Sequence, residues 1–264
     1  MYEFDYRSAT NLDDAASRLG GDEDARLVAG GMTLLPTLKL RLAKPTQLID
    51  LAGISELKGI REEGDAVVIG AMTRHGDVHR SDVVKRAIPA LAEMAGMIGD
   101  PAVRNRGTIG GSIANNDPAA DYPGAVVALN ATVRTNKREI AADDFFTGLF
   151  ETALAPDELV VAVHFPIPEK SAYAKFGSYA SKYALTGVFV AKTASGVRVA
   201  VTGAGPKVFR VPEMEKALTA KLAPEVLDGI HVAADDLLGD GEASAEYRAH
   251  LVTVMAKRAV SALA

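Results

Sequence analysis

Stretches of apolar residues at helical spacing alternate along this chain with short apolar runs of strand type, and glycine or proline separates them. Residues 11–19 predict a helix, with Asn11 or Thr10 as N-cap and Gly20-Gly21 as its stop. The run Arg26-Leu27-Val28-Ala29 predicts a buried strand that ends at Gly30-Gly31. Leu34, Leu35, Leu38 and Leu42 then recur at helical spacing over residues 33–42. Strands are expected at 48–51 and 66–70, with turn chemistry in Glu62-Glu63-Gly64-Asp65 between them. A helix over 85–98 leads into a Gly- and Asn-rich stretch over 104–117. Asp117-Pro118 then opens a helix through Leu129, since proline suits a first helical turn. Strands follow at 131–135 and 158–165. Pro166-Ile167-Pro168-Glu169-Lys170-Ser171 reads as a linker, because two prolines block both helix and central strand. Residues 187–193 and 196–202 form a hairpin pattern, and 244–263 a long alanine-rich helix. The expected fold class is α+β, with a larger N-terminal domain and a smaller C-terminal one.

Composition narrows the functions open to such a chain. Its 264 residues are 48% hydrophobic and 24% charged, which suits one large domain or two ordinary ones and excludes disorder. A formal net charge of -5 argues against nucleic-acid binding through phosphates. The absence of cysteine removes disulfides, thiol catalysis, zinc–thiolate sites and iron–sulfur clusters held by this chain. No basic-then-apolar leader opens the sequence, and no run approaches the ~20 apolar residues of a membrane span. A cytoplasmic location is expected.

Two small-residue loops carry the candidate chemistry. In Val28-Ala29-Gly30-Gly31-Met32-Thr33-Leu34-Leu35-Pro36 a strand ends, two glycines remove side chains, and a helix begins at a hydroxyl residue. Successive N–H groups at such a turn can cradle a pyrophosphate. Thr33 either caps the helix or donates to a phosphate oxygen. The loop is neither a Walker A sequence nor a Rossmann fingerprint, and alone it most often makes only a turn. The second loop, residues 106–123, contains Thr108-Ile109-Gly110-Gly111-Ser112, a density of small polar residues that a plain connection does not need. Asp121 is spaced for its carboxylate to face sugar hydroxyls, and Asp117 reads as an N-cap. His75 and His79, four apart, could ligate a metal on a helix, but no third ligand accompanies them and a solvated polar face is favoured. His164, His231 and His250 are scattered. The acidic residues from Asp235 to Glu242 read as solvated loop, and the last helix as C-terminal core.

Ala29-Gly30-Gly31-Met32-Thr33-Leu34-Leu35-Pro36, followed by Arg104-Asn105-Arg106-Gly107-Thr108-Ile109-Gly110-Gly111-Ser112 and Asp117-Pro118-Ala119-Ala120-Asp121-Tyr122-Pro123, resembles the medium, flavin-binding subunit of the xanthine dehydrogenase and carbon monoxide dehydrogenase family. The resemblance covers essentially the whole chain. It implies a FAD-binding domain of the vanillyl-alcohol-oxidase (PCMH) type over 1–168, made of two subdomains split near 55–60. A C-terminal domain of the CO dehydrogenase flavoprotein type would occupy 172–264. Carried over position by position, Leu27, Val28, Ala29, Gly30, Gly31, Met32, Thr33 and Leu34 match the loop around the FAD pyrophosphate. Thr108, Ile109, Gly110, Gly111 and Ser112 match a second phosphate and ribityl loop. Asp121 matches an acidic residue on the sugar-like chain, and Ile98 and Val160 match apolar contacts. Lys175 matches a lysine near the pyrimidine carbonyl, and Tyr183 an aromatic at the ring face. Ser112 stands where many relatives have Asn, and Met32 brings no phosphate donor.

The family also implies partners: a large molybdopterin subunit that oxidises the substrate and a small subunit with two [2Fe–2S] clusters, in a dimer of heterotrimers. This chain would pass the electrons to NAD, a quinone or O2. With the cofactor carrying the chemistry, no catalytic side chain is expected. Two other readings stand beside it. One is a stand-alone flavoprotein reductase or oxidase, for which no proton-donating residue can be placed. The other is a binding protein without flavin, which the intact glycine loops and Lys175 disfavour.

Overall fold

A computed structural model describes residues 1–263. Its first layer is a parallel three-stranded sheet in which Gln47–Asp50 lies between Asp5–Ser8 and Arg26–Val28. The helices Leu12–Gly20 and Leu34–Lys39 connect these strands, as parallel pairing requires a crossover. A five-stranded antiparallel sheet follows, in the spatial order Ile60–Glu63, Ala66–Gly70, Val160–Pro166, Thr132–Thr135, Glu139–Ala141. The last sheet is antiparallel and runs Lys170–Gly177, Ala184–Thr193, Gly196–Thr202, Phe209–Arg210. The expected α+β class is the one observed.

The third sheet joins the layers, because a strand shows alternate side chains to opposite faces. Along Ala184–Thr193, Phe189 and Ala191 enter the large core shared with the two preceding sheets. Val188 and Val190 enter a separate core under the helices Pro212–Ala220 and Ala245–Ser261. The strand therefore reads as nearly continuous apolar sequence. A small third cluster, Val28, Leu38 and Leu48, sits beneath the first glycine loop.

Several elements depart from expectation. The helix predicted over 85–98 is two helices, Asp82–Ala87 and Pro89–Gly96. Pro89 has no N–H to donate and forces Ile88 out of the helical region, to φ -141°. Residues 109–115, read as loop, form the helix Ile109–Asn115, capped by Thr108 and stopped by Asn116 at φ 43°. The helix expected from Asp117 starts only at Tyr122. Asp117 instead closes a turn by accepting from Ala119 N at 2.9 Å. The carbonyls of Pro118, Ala119 and Ala120 face donors in the C-terminal sheet. Thr202 Oγ1 reaches Pro118 and Ala120 at 3.0 and 2.6 Å, Gly203 N reaches Pro118 at 2.7 Å, and Ala184 N reaches Ala119 at 3.3 Å. Those bonds hold the segment outside helical geometry. Lys170 and Ser171, taken as linker, already pair in the strand Lys170–Gly177.

The two histidines also part company. His79 is exposed and its Nδ1 lies 2.9 Å from the Ala92 carbonyl. His75, by contrast, is buried at 5% exposure and packs tilted against Tyr122, with ring centroids 5.3 Å apart. The expected solvated face is thus wrong for His75. No group of three potential ligands among the described residues could hold a metal. Burial, with Arg104 adding to it, lowers the His75 pKa to about 4. In the unfolded chain the imidazole protonates near 6.5, so its stabilising contribution is complete above that pH and is lost as pH falls toward 4. Relative to His75→Phe, the parent chain should lose about 3 kcal/mol of unfolding free energy over that interval. Denaturant titrations of both at pH 7 and pH 4 measure this, and parallel losses in the two proteins would refute the assignment.

Candidate functional site

The two glycine loops, about eighty residues apart in sequence, meet in space. A Cβ on Gly30 would stand 2.2 Å from the Arg106 carbonyl oxygen and 2.8 Å from the Gly107 Cα. Only glycine allows the two backbones to approach so closely. Gly31 has φ +73°, which turns the chain away from the strand and starts the helix Leu34–Lys39. Through this turn the N–H groups of Ala29, Gly30, Gly31, Met32, Thr33 and Leu34 donate to no acceptor among the described residues. Thr33 stands at the N-cap position but its side chain makes no capping bond. Met32 and Thr33 are exposed, and Gly30, Gly31 and Leu34 are half-buried. Six consecutive donors at an accessible turn form a concavity suited to an anion.

The second loop is organised differently. Ile109 N donates to Thr73 O at 3.1 Å, Gly110 N to Ala71 O at 2.8 Å, and Gly111 N to Thr108 Oγ1 at 3.2 Å. Gly107 O accepts from His75 N at 2.9 Å. Its donors are thus committed to the fold. Gly110 is glycine because a Cβ there would lie 2.5 Å from the Ala71 Cβ. Gly111 is exposed, and a Cβ there would meet only the Thr108 hydroxyl at 3.0 Å and the Ala29 Cβ at 3.7 Å. It therefore stands beside Ala29 of the first loop, with half-buried Ser112 next to it.

The C-terminal domain adds charge to the same region. Asp121, 4% exposed, accepts from the Tyr173 hydroxyl on Oδ1 and from Lys175 Nζ on Oδ2 at 2.9 Å. Burial pushes the Asp121 carboxyl up, and the Lys175 ammonium and the Tyr173 phenol pull it back. Lys175 Nζ also lies 3.4 Å from Met97 O, in the turn that holds Ile98. Arg104 Nη1 fixes that turn by donating to Ile98 O at 2.9 Å and Gly99 O at 3.0 Å. Tyr183, 44% exposed, directs its phenol toward Thr33, Asp117 and Asp121. Desolvation first, and then the two carboxylates, hold that phenol above its ordinary value.

Among the residues singled out from sequence, the contacts join Gly30 to the Arg106–Gly107 backbone, bring Gly111 beside Ala29, pair Asp121 with Lys175, and set Lys175 against the turn before Ile98. Leu27, Val28, Ile109 and Val160 pack into the hydrophobic cores. Two residues of the site escaped the sequence reading. Tyr173 lies two positions before Lys175 on a strand taken partly as linker, and the strand period would have put both on one face. Ala71 receives Gly110 only through a pairing between distant segments.

Comparison with known proteins gives this geometry a context. Residues 2–168 match the FAD binding domain in molybdopterin dehydrogenase, and residues 173–263 match the CO dehydrogenase flavoprotein C-terminal domain. The nicotine 6-hydroxylase medium subunit of Paenarthrobacter nicotinovorans is 37% identical, over 97% of this chain and 95% of its own length. The carbon monoxide dehydrogenase medium chain of Hydrogenophaga pseudoflava is 38% identical, over 98% and 96%. A solved CO dehydrogenase structure from Oligotropha carboxidovorans superposes with a TM-score of 0.90 at 35% identity, covering 98% of this chain and 96% of that one. With its loops, its two domains and its full-length relatives in agreement, the chain belongs to the FAD-binding medium subunits of the molybdopterin dehydrogenases.

Proposed function

We propose that this chain grips the FAD pyrophosphate with the N–H groups of Ala29, Gly30, Gly31, Met32, Thr33 and Leu34. The segment Thr108–Ser112 closes the other side, and Asp121, Lys175, Tyr183 and Ile98 border the flavin. The observation that carries this reading is the run of six unpaired N–H donors beside the backbone contact of Gly30 with Arg106–Gly107. A diphosphate needs several donors at once and little side-chain bulk, and this loop offers both. Leu27, Val28, Ile109, Gly110 and Val160 support the site from below.

Bound FAD would supply the redox chemistry, taking electrons singly and giving them up as a pair. The chain would receive them from the [2Fe–2S] clusters of a small subunit, reduced in turn by a large molybdopterin subunit. It would pass them to NAD, a quinone or O2. Its lack of cysteine fits a station that holds no cluster itself. The assembly we expect is a cytoplasmic dimer of heterotrimers, and no helix among the described residues is long and apolar enough to cross a membrane. We place the domain division at 168–172 and the subdomain split near 55–60.

Expressed alone, the chain should bind FAD and turn yellow without oxidising any substrate until both partners are added. A colourless chain that fails to take up added FAD would overturn the reading. The two glycines of the second loop separate binding from folding. Gly111→Val should weaken FAD binding at least about tenfold, about 1.4 kcal/mol, and leave the melting temperature of the FAD-free chain nearly unchanged. Gly110→Ala should instead destabilise the FAD-free chain by about 1–3 kcal/mol by overpacking against Ala71. Titration with FAD and thermal melts check both, and identical behaviour of the two variants would sink the division of roles.

A further inference from the structure

Lys175 does not stand alone at the groove. It forms a buried pair with Asp121, their side chains 6% and 4% exposed, and the second oxygen of that carboxylate is held by the Tyr173 hydroxyl. Tyr173 and Lys175 lie two apart on the strand Lys170–Gly177, so both side chains leave it on one face, toward Asp121. Asp121 occupies the N-cap position of the helix Tyr122–Ala128 but makes no capping bond, because its carboxylate is turned to the other domain. Gly187 is the pairing partner of Lys175 on the next strand. A Cβ on Gly187 would stand 2.3 Å from the Tyr173 hydroxyl oxygen, so the phenol reaches the carboxylate only because that position is glycine.

We propose that Tyr173, seated over Gly187, is a positioning residue that holds Asp121 by one oxygen and thereby sets how much of the Lys175 charge is presented to the bound flavin. The proposal rests on the reading that Lys175 borders the flavin. A cation there stabilises the negative charge that the flavin acquires on reduction. A carboxylate 2.9 Å away opposes that effect, the more so when both its oxygens are free to face the ammonium. By occupying Oδ1, the phenol leaves Lys175 a single oxygen.

The test is spectroelectrochemical titration of the FAD-loaded full chain, with flavin content and melting temperature measured alongside. Lys175→Met should lower the flavin midpoint potential. Asp121→Asn, which keeps the shape and removes the opposing charge, should raise it. Tyr173→Phe should lower it while flavin content stays at the parent level. For each, a tenfold change in the ratio of affinities for reduced and oxidised flavin is read as about 30 mV for a two-electron couple. A purely structural role would lower melting temperatures without opposite-signed potentials. If Lys175→Met leaves the potential unmoved, the placement of Lys175 at the flavin is wrong. If it lowers the potential while Asp121→Asn and Tyr173→Phe leave it at the parent value, the positioning role is wrong. Should Tyr173→Phe fail to fold, Gly187→Ala displaces the hydroxyl with all three residues present and must lower the potential too; an unchanged value there overturns the proposal.

Discussion

The backbone of Gly30 and the backbone of Arg106–Gly107 approach so closely that no side chain fits between them. This contact ties the parallel three-stranded layer to the five-stranded layer at the groove. The first loop with its free donors follows a strand of the three-stranded layer, and the helix start at Thr108 is bonded to Thr73 and Ala71 beyond the second strand of the five-stranded layer. A ligand that bridges them finds its two halves already in register, so little ordering remains when it binds.

Glycine serves different ends within a few residues. Gly30 and Gly110 are small because protein backbone and the Ala71 side chain lie where a Cβ would go. Gly31 is glycine for its positive φ, and Gly111 stands against the Thr108 hydroxyl and Ala29. The second loop spends its N–H groups on Thr73, Ala71 and Thr108, which makes it a stiff wall. The first leaves its donors free.

The C-terminal domain is no mere appendage to this arrangement. Its sheet shares the large core through Phe189, Ala191 and Ala200, and its donors Thr202, Gly203 and Ala184 hold the segment before Asp121 in place. Across the same junction Lys175 and Tyr173 converge on Asp121. Leaving either charge of that pair without the other would strand an ion in a buried site, which is strongly unfavourable. The ion pair is therefore one of the contacts that join the two domains at this junction.

Much of this was legible in the residues themselves. The α+β class, the strand-to-turn ending at Gly30-Gly31, the N-cap at Asn11 and the long last helix follow from local spacing and turn chemistry, because those are decided within a few residues. The order and spacing of the two loops were enough to bring out the family resemblance. What the sequence did not determine were the features set by distant partners. Tertiary hydrogen bonds keep residues 117–121 out of a helix that their proline invites. Packing against Tyr122 buries a histidine that local polarity placed in solvent. Asp121, whose spacing suggests a carboxylate facing sugar hydroxyls, has both oxygens engaged by another domain, and the partners that claim them lie more than fifty residues away in sequence. Local chemistry fixes which elements form, but only the assembled layers decide which polar groups are already satisfied and which are left for a ligand.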